Sequence, residues 1–438
     1  MAYFDKYSFY CEKINKNIEN IRNNDKRLAI GYTSDLDIIL QWNEKTVNDI
    51  LSAYLQSEPE ITEQDAIDSL ESLARIISFY MVNGLGGETD ITDVKVCDFL
   101  KERFLTTYGL GGTCAQQAVA IGKIGIPALV HITDRSKEVC QLMDGVGLET
   151  VVDKGLAPLA QSATDEPPVI HMILQYPKGA KLRIQGKEAE IPLSNRLIMD
   201  YDTIHKYLPL EQSFLDYCEN NAEDIAAYSI SGFNAILDPA IMRQRSNELV
   251  RHIDNIKKKN PACKVYLEGA FYLNPMVKDI VFSELAKSVD ILGMNEEELV
   301  EHVENHSKAI DKDNLASVLN GLEHMLNTFP VKGIVLHTKD YSMYYGAQDN
   351  TVDFEMGLTM GNLLSGTRAR IGDYGTYEDC KGTIELPLSK AGLLFAEQLE
   401  DMQTARYVKI VPSRYMEYPQ CTIGLGDTFV AGFLTAFV

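Results

Sequence analysis

From about residue 224 onward, short apolar runs alternate with long amphipathic stretches, and this rhythm limits the fold more than any other feature of the chain. Ile225–Ile230, Lys264–Leu267, Ile291–Met294, Gly333–His337 and Val408–Val411 read as buried strands. Pro239–Lys259, Asn274–Ser288, Glu296–His306 and Leu315–Phe329 read as the helices between them. Strands alternating with helices of this length predict βαβ units and a mostly parallel sheet. Right-handed crossovers then bring the C-terminal strand ends to one rim, where ligands bind in open α/β sheets.

The first half is less regular. The first ~28 residues read as helix, Leu28–Leu40 as one apolar strand carrying Asp35 and Asp37, and residues 45–82 as two helices. Gly109-Leu110-Gly111-Gly112 opens a helix of small residues to Lys123, and Ile126–Ile132 reads as a buried strand. Residues 167–200 change character: Val169–Gln175 and Lys181–Ile191 alternate between turns, as antiparallel strands do. At 438 residues the chain exceeds one compact core. We expect a large α/β body from residues 29–44, 109–166 and 203–438. A smaller α+β lid would come from 1–28, 45–108 and 167–202. A body with a lid suits chemistry that must exclude water.

The formal charge of −22 argues against nucleic acid or an anionic membrane as a partner. It also means that any phosphate must be held by local cations, backbone N–H groups or a metal. The eight cysteines are scattered with no C-x-x-C pair, so reduced thiols are expected. The N-terminal residues lack the basic-then-apolar order of a signal peptide, and no apolar run approaches ~18 residues. A cytoplasmic location is the expectation, and the sequence is silent on oligomeric state.

Three constellations can carry chemistry. The first is Gly424-Leu425-Gly426-Asp427, between a strand and an apolar helix. Two glycines at a helix start let the backbone approach an anion, and a carboxylate there can take a proton from a substrate hydroxyl. The plainer alternative is Asp427 as a helix N-cap. The second is Asn295-Glu296-Glu297-Glu298 at a strand-to-helix turn. Asn295 and Glu298 share one face and could hold a hydrated Mg²⁺, or could form a capping box. The third is the pair Asp35 and Asp37, with Glu88, Gly111 and Gly112, suited to the hydroxyls of a small polar ligand. His302 and His306 have metal-ligand spacing on a helix but read better as a solvated face.

In their order and spacing, these segments resemble the ADP-dependent sugar kinases, the glucokinase/phosphofructokinase branch of the ribokinase-like superfamily. Gly424-Leu425-Gly426-Asp427-Thr428 resembles that branch's G-L-G-D-T, and Asn295–Glu298 its N-x-x-E magnesium motif. Ile410-Val411-Pro412-Ser413-Arg414 is similar to its V-P-[ST]-R segment, and Val335-Leu336-His337-Thr338 to its V-H-T strand. Ser231-Gly232-Phe233 and Asn195-Arg196-Leu197-Ile198 also match. The resemblance implies a ribokinase-like three-layer α/β/α body with a smaller α+β lid. It implies transfer of the β-phosphoryl of ADP to a hexose hydroxyl, giving AMP, on glucose or fructose 6-phosphate.

By the same resemblance Asp427 is the base, and the amides around Gly424, Leu425 and Gly426 form the anion hole. Asp37, Glu88, Gly111 and Gly112 bind the sugar. His337, Val411, Pro412 and Arg414 lie near the nucleotide, with Arg196 reaching its phosphates from the lid. Asn295, Glu298 and Glu268 serve Mg²⁺ or another divalent cation. The sequence departs from the family twice. Tyr266-Leu267-Glu268 stands for H-x-E, which leaves metal tuning open. Thr33-Ser34-Asp35-Leu36-Asp37 stands for N-x-N-x-D, which leaves sugar choice open. Asp35 adds negative charge, which would repel a sugar phosphate unless Lys178 or Arg183 compensates. The alternatives are an ATP-dependent carbohydrate or nucleoside kinase on this fold, or a sugar- or nucleotide-binding protein without catalysis.

Overall fold

The computed structural model describes every residue except 1–2, 24–25, 56–65, 145–146, 154 and 306–308. Ten strands form one large sheet. From edge to edge they are Tyr407–Pro412, Tyr341–Gly346, Gly333–His337, Ile291–Asn295, Lys264–Glu268, Ile225–Ile230, Arg27–Tyr32, Ala128–Ile132, Leu148–Val152 and Gly155–Pro158. The seven from Gly333–His337 to Leu148–Val152 run parallel. Three antiparallel strands close the two edges.

Period-two alternation makes this sheet the middle of three layers. Leu28, Ile30, Val130, Ala227, Tyr266, Ile291 and Val335 point into one core. That core is closed by helices Tyr3–Asn23, Thr113–Lys123, Phe354–Ile371 and Leu425–Leu434. Ala29, Leu129, Tyr228, Val265, Leu267, Leu292 and Ile334 point into the other. There they meet helices Gln212–Asn220, Pro239–Lys259, Pro275–Ser283, Glu296–Asn305 and Leu315–Thr328.

A second sheet of five strands carries the order Gly87–Asp90, Asn195–Tyr201, Ile170–Tyr176, Asp35–Leu40, Thr106–Gly111. On one face of this sheet Leu36, Ile38 and Leu40 are buried, with Met172, Leu174, Leu197 and Met199 from the neighbouring strands. The residues between them, Asp35, Asp37, His171 and Asp200, project from the opposite face.

The packing divides the chain differently from the sequence-based expectation at three points. The expected strand Leu28–Leu40 is two strands, broken at Thr33-Ser34: the first joins the large sheet and the second the small one. Residues 109–111, expected in the body, end a small-sheet strand. Helix Tyr3–Asn23, expected in the lid, packs on the body: Lys6 pairs with Glu355 at 2.8 Å and the Tyr7 hydroxyl donates to the Pro412 carbonyl at 2.8 Å. Tyr341–Gly346 is an additional strand that the sequence reading passed over.

The two sheets meet in a hydrogen-bonded joint. The Ser34 hydroxyl donates to the Asp134 carbonyl at 3.0 Å, while the Asp134 carboxylate accepts from the amides of Ser136 and Val169 at 2.7 and 2.8 Å. The chain enters the small sheet beside Asp35, so the joint positions that carboxylate.

Candidate active site

Gly424 is the N-cap of helix Leu425–Leu434, with φ +65° and no side-chain cap. The left-handed conformation favours glycine, and a Cβ here would also overlap Gln116 Oε1. Asp427 is therefore in the first turn rather than at the cap, which removes the plain N-cap reading. A second uncapped helix, Thr113–Lys123, begins after Gly112, which has φ +84°. Thr113, its first residue, hydrogen-bonds the Asp427 side chain. Two helix starts without side-chain caps thus meet at one carboxylate.

Burial and then the Glu268 carboxylate push the Asp427 carboxyl up to about 7, while Arg368, His337 and Thr113 pull it down. A carboxyl titrating near neutrality is poised to accept and release a proton. Arg368, which sequence reasoning missed, is the cation of this corner. It is buried, donates to Thr428 Oγ1 at 3.2 Å, and lies 4.1 Å from the centre of the Tyr374 ring. Thr428 in turn bonds the Gly424 carbonyl at 2.8 Å, so the guanidinium braces the glycine turn.

Beside the turn, Glu268 accepts at Oε1 in a 2.8 Å contact with His337 Nε2 and at Oε2 from the Tyr266 hydroxyl at 2.9 Å. Tyr266, the departure from H-x-E, thus orients the carboxylate that follows it. Burial opposes protonation of His337, but the charge and hydrogen bond of Glu268 together with the charges of Glu298 and Glu296 hold the pKa above its ordinary value. The His337 ring stacks on Phe429 with centroids 4.9 Å apart. Burial, and then the charge of Glu268, lift Glu298 to about 7.

Asn295 and Glu298 form the reciprocal capping arrangement. Asn295 Oδ1 accepts from the Glu298 amide at 2.9 Å, and Glu298 Oε2 accepts from the Asn295 amide at 3.0 Å. Asn295 Nδ2 also donates to Glu298 Oε1 at 2.9 Å. Each oxygen of Glu298 and Glu268 carries one protein donor and keeps a further lone pair. Such oxygens suit the water shell of a hydrated ion, as Mg²⁺ prefers. The two carboxylates also repel one another, which a cation would relieve. His302 packs on Phe282 with centroids 4.3 Å apart, so it is no solvated helix face; His306 lies outside the described residues.

Val411 shares a cross-strand row with Ser342 and His337. Its carbonyl accepts from Asn362 Nδ2 at 3.0 Å, and that of Pro412 from Tyr7. Arg414 is buried, donates to the Leu386 carbonyl at 2.7 Å, and lies 4.3 Å from the Tyr7 ring centre. These bonds tie the segment to the fold.

At the other end stands the small sheet. Its register sets Asp37, His171 and Asp200 side by side on one face. Asp35 lies two residues along, and Gly111 opposite it leaves room, since a Cβ there would overlap Asp35 Oδ1. Burial first, and then nearby carboxylates, lift Asp37 to about 7; burial also lifts Asp35 to about 7 against the pull of His205. Asp200 is held well above the carboxylate range by burial and by the charge and hydrogen bond of Glu88. The cations felt at Asp37 include Arg368 and Arg196. Arg183, by contrast, lies exposed on a separate ribbon, Lys181–Ile184 with Lys187–Glu190. Sequence reasoning named Asp37, Glu88, Gly111 and Gly112 as sugar-binding candidates and did not name His171 or Asp200, which only strand pairing brings alongside Asp37.

Residues 26–436 match the model of the ADP-specific phosphofructokinase/glucokinase conserved region. An ADP-specific phosphofructokinase of Pyrococcus abyssi is 23% identical over 444 residues, covering 94% of this chain and 98% of its own. The ADP-dependent glucose/glucosamine kinase of the same organism is also 23% identical, over 470 residues, covering 98% and 97%. A solved ADP-dependent kinase in complex with fructose 6-phosphate and ADPβS superposes with a TM-score of 0.79 at 17% identity, covering 100% of this chain and 98% of that one. No helix among the described residues is long and apolar enough to cross a membrane. With its family match running almost from end to end, this chain belongs to the ADP-specific phosphofructokinase/glucokinase family.

Proposed function

We propose that this protein transfers the β-phosphoryl group of ADP to a hydroxyl of an unphosphorylated hexose. The observation that carries the reading is Asp427: a carboxylate titrating near 7, set between two uncapped helix starts. In this mechanism the acceptor oxygen attacks Pβ, the bond from Pβ to the bridging oxygen breaks, and AMP leaves. The acceptor proton goes to Asp427. The amides of Leu425 to Asp427 and the Arg368 guanidinium receive the charge that develops on the equatorial oxygens. Asn295, Glu298 and Glu268 would hold a hydrated divalent cation, which when bound supplies charge neutralisation of the phosphates. The nucleotide base would rest near the row of His337 and Val411, with Pro412 and Arg414 behind it. Arg196 would approach from the small sheet. An enzyme of this kind would work in the cytoplasm.

The acceptor reading rests on charge. Asp35, Asp37, Asp200 and Glu88 offer acceptors to sugar hydroxyls and would repel a phosphate group. Arg196 and Arg368 near Asp37 support fructose 6-phosphate as the second reading. The test is AMP formation with ADP or ATP as donor, crossed with glucose and fructose 6-phosphate as acceptors. ADP with glucose should be the productive pair. Glu88→Ala should lower kcat/KM for glucose by roughly 10- to 100-fold, the worth of a hydrogen bond to a charged group. Its effect on fructose 6-phosphate should be smaller. ATP outperforming ADP would overturn the donor assignment, and turnover confined to fructose 6-phosphate would overturn the acceptor.

A further inference from the structure

Arg368 can meet charge in the transfer site only if its guanidinium stays against the glycine turn. One nitrogen is tied there: Nη1 donates to Thr428 Oγ1 at 3.2 Å. Nε is buried and has no hydrogen-bond partner among the described residues. The Cys421 thiol is a further polar neighbour, but a weak one. A long side chain anchored this lightly can swing about its one good bond. The stronger hold is the Tyr374 ring, whose centre lies 4.1 Å from Arg368 Cζ. A guanidinium over an aromatic face is attracted by the ring quadrupole, the more so where water is excluded.

Tyr374 is itself held at both ends. Helix Phe354–Ile371 ends at Gly372, left-handed with φ +80°, whose amide still donates to the Arg368 carbonyl at 2.8 Å. Gly375 lies so close to Thr367 that a Cβ there would overlap its Cγ2. Thr376 then caps helix Tyr377–Ile384. The turn 372–376 therefore folds back on the helix it has just left and carries the ring over Arg368. At the far end of the ring, the Tyr374 hydroxyl donates to Gln116 Oε1 at 3.4 Å. That is the oxygen a Cβ on Gly424 would overlap. Burial holds the pKa of the phenol well above its ordinary value, so it remains a donor at neutral pH. The charges of Asp427 and Asp37 both act on it, so it stands near the base and near the sugar end.

We propose that Tyr374 is a positioning residue for phosphoryl transfer: its ring holds the Arg368 guanidinium against the glycine turn, and its hydroxyl, through Gln116, holds the ring. This role rests on the proposed function, because the position of Arg368 matters only where it meets developing charge. A residue that merely filled space would act independently of Arg368. Tyr374 acts through it.

The test measures kcat and KM for AMP formation by the full-length protein, with ADP and the better of glucose and fructose 6-phosphate. Tyr374→Leu should lower kcat by about 10- to 30-fold, the scale of a desolvated cation–ring contact, and leave the KM for ADP little changed. Tyr374→Phe keeps the ring and should recover most of the rate, losing about 2- to 5-fold for one neutral hydrogen bond. Added to Arg368→Met, Tyr374→Leu should cost no more than about twofold further, because residues that act as one unit are not additive. A further loss of the full size would overturn the role. So would Tyr374→Phe as impaired as Tyr374→Leu, or Tyr374→Leu at full rate. Should Tyr374→Leu fail to fold, pentafluorophenylalanine at position 374 decides, since it nearly keeps the shape of phenylalanine and reverses the quadrupole. Its kcat should fall well below that of Tyr374→Phe, and equal rates would overturn the role. No AMP from the wild type with either acceptor would sink the proposed function and this role with it. Wild-type turnover with additive losses would sink the role alone.

Discussion

Asp427→Asn is expected to lower kcat by about 10³-fold, within the range for removing a positioned base, while the KM for ADP changes little. The substitution keeps the shape of the side chain and its contact with Thr113 but cannot accept the proton. It also removes a half-buried negative charge that Glu268 repels, so thermal stability should hold or rise. That split separates a base from a structural residue, whose loss would lower both. The wild-type pH profile gives a second check. A base pushed up to about 7 is progressively protonated below that pH, so the rate should fall about tenfold per pH unit on the acid side and level off above it. Full activity in Asp427→Asn, or a rate flat from pH 5 to 8, would remove Asp427 from the mechanism.

Arg368→Met is expected to cost about 10²- to 10³-fold in kcat, the scale seen when a preorganised group facing developing charge is lost. Methionine fills much of the same buried volume, so the packing against Tyr374 should largely survive. The diagnostic is again the pH profile. Arg368 lowers the pKa of Asp427, so its removal should move the acid limb to higher pH. Arg368→Lys should restore the limb's position better than the rate, because a lysine supplies the charge without the planar fork. An unmoved acid limb in Arg368→Met would show that the guanidinium braces Gly424 and does nothing to the base.

The parallel body was legible because its strands and helices repeat with the periods their burial demands. Tyr341–Gly346 escaped because it follows Gly333–His337 after only a short turn, where the strand–helix rhythm leads to the expectation of a helix. Helix Phe354–Ile371 is buried on nearly every side, so it shows no amphipathic stripe to flag Arg368. Asp427 was visible because its neighbours are local glycines. His171 and Asp200 were not, because a polar residue alternating with apolar ones reads as a solvated strand face. Only the pairing of strands far apart in sequence sets Asp37, His171 and Asp200 in a row. The same limit misplaced helix Tyr3–Asn23, whose partners Glu355 and Pro412 come hundreds of residues later.

The interleaving of the two sheets also bears on how the protein is made. Strand Arg27–Tyr32 lies at the middle of the large sheet, between Ala128–Ile132 and Ile225–Ile230. The second of those neighbours leaves the ribosome roughly 200 residues after it, which at about 5–20 residues per second is a wait of ~10–40 s. Throughout that interval one edge of the central strand is open to pairing with another nascent chain. The small sheet is complete by residue 201, earlier than that neighbour. It can therefore close first and hold Asp35, and the strand leading into it, in place while the body is still being synthesised.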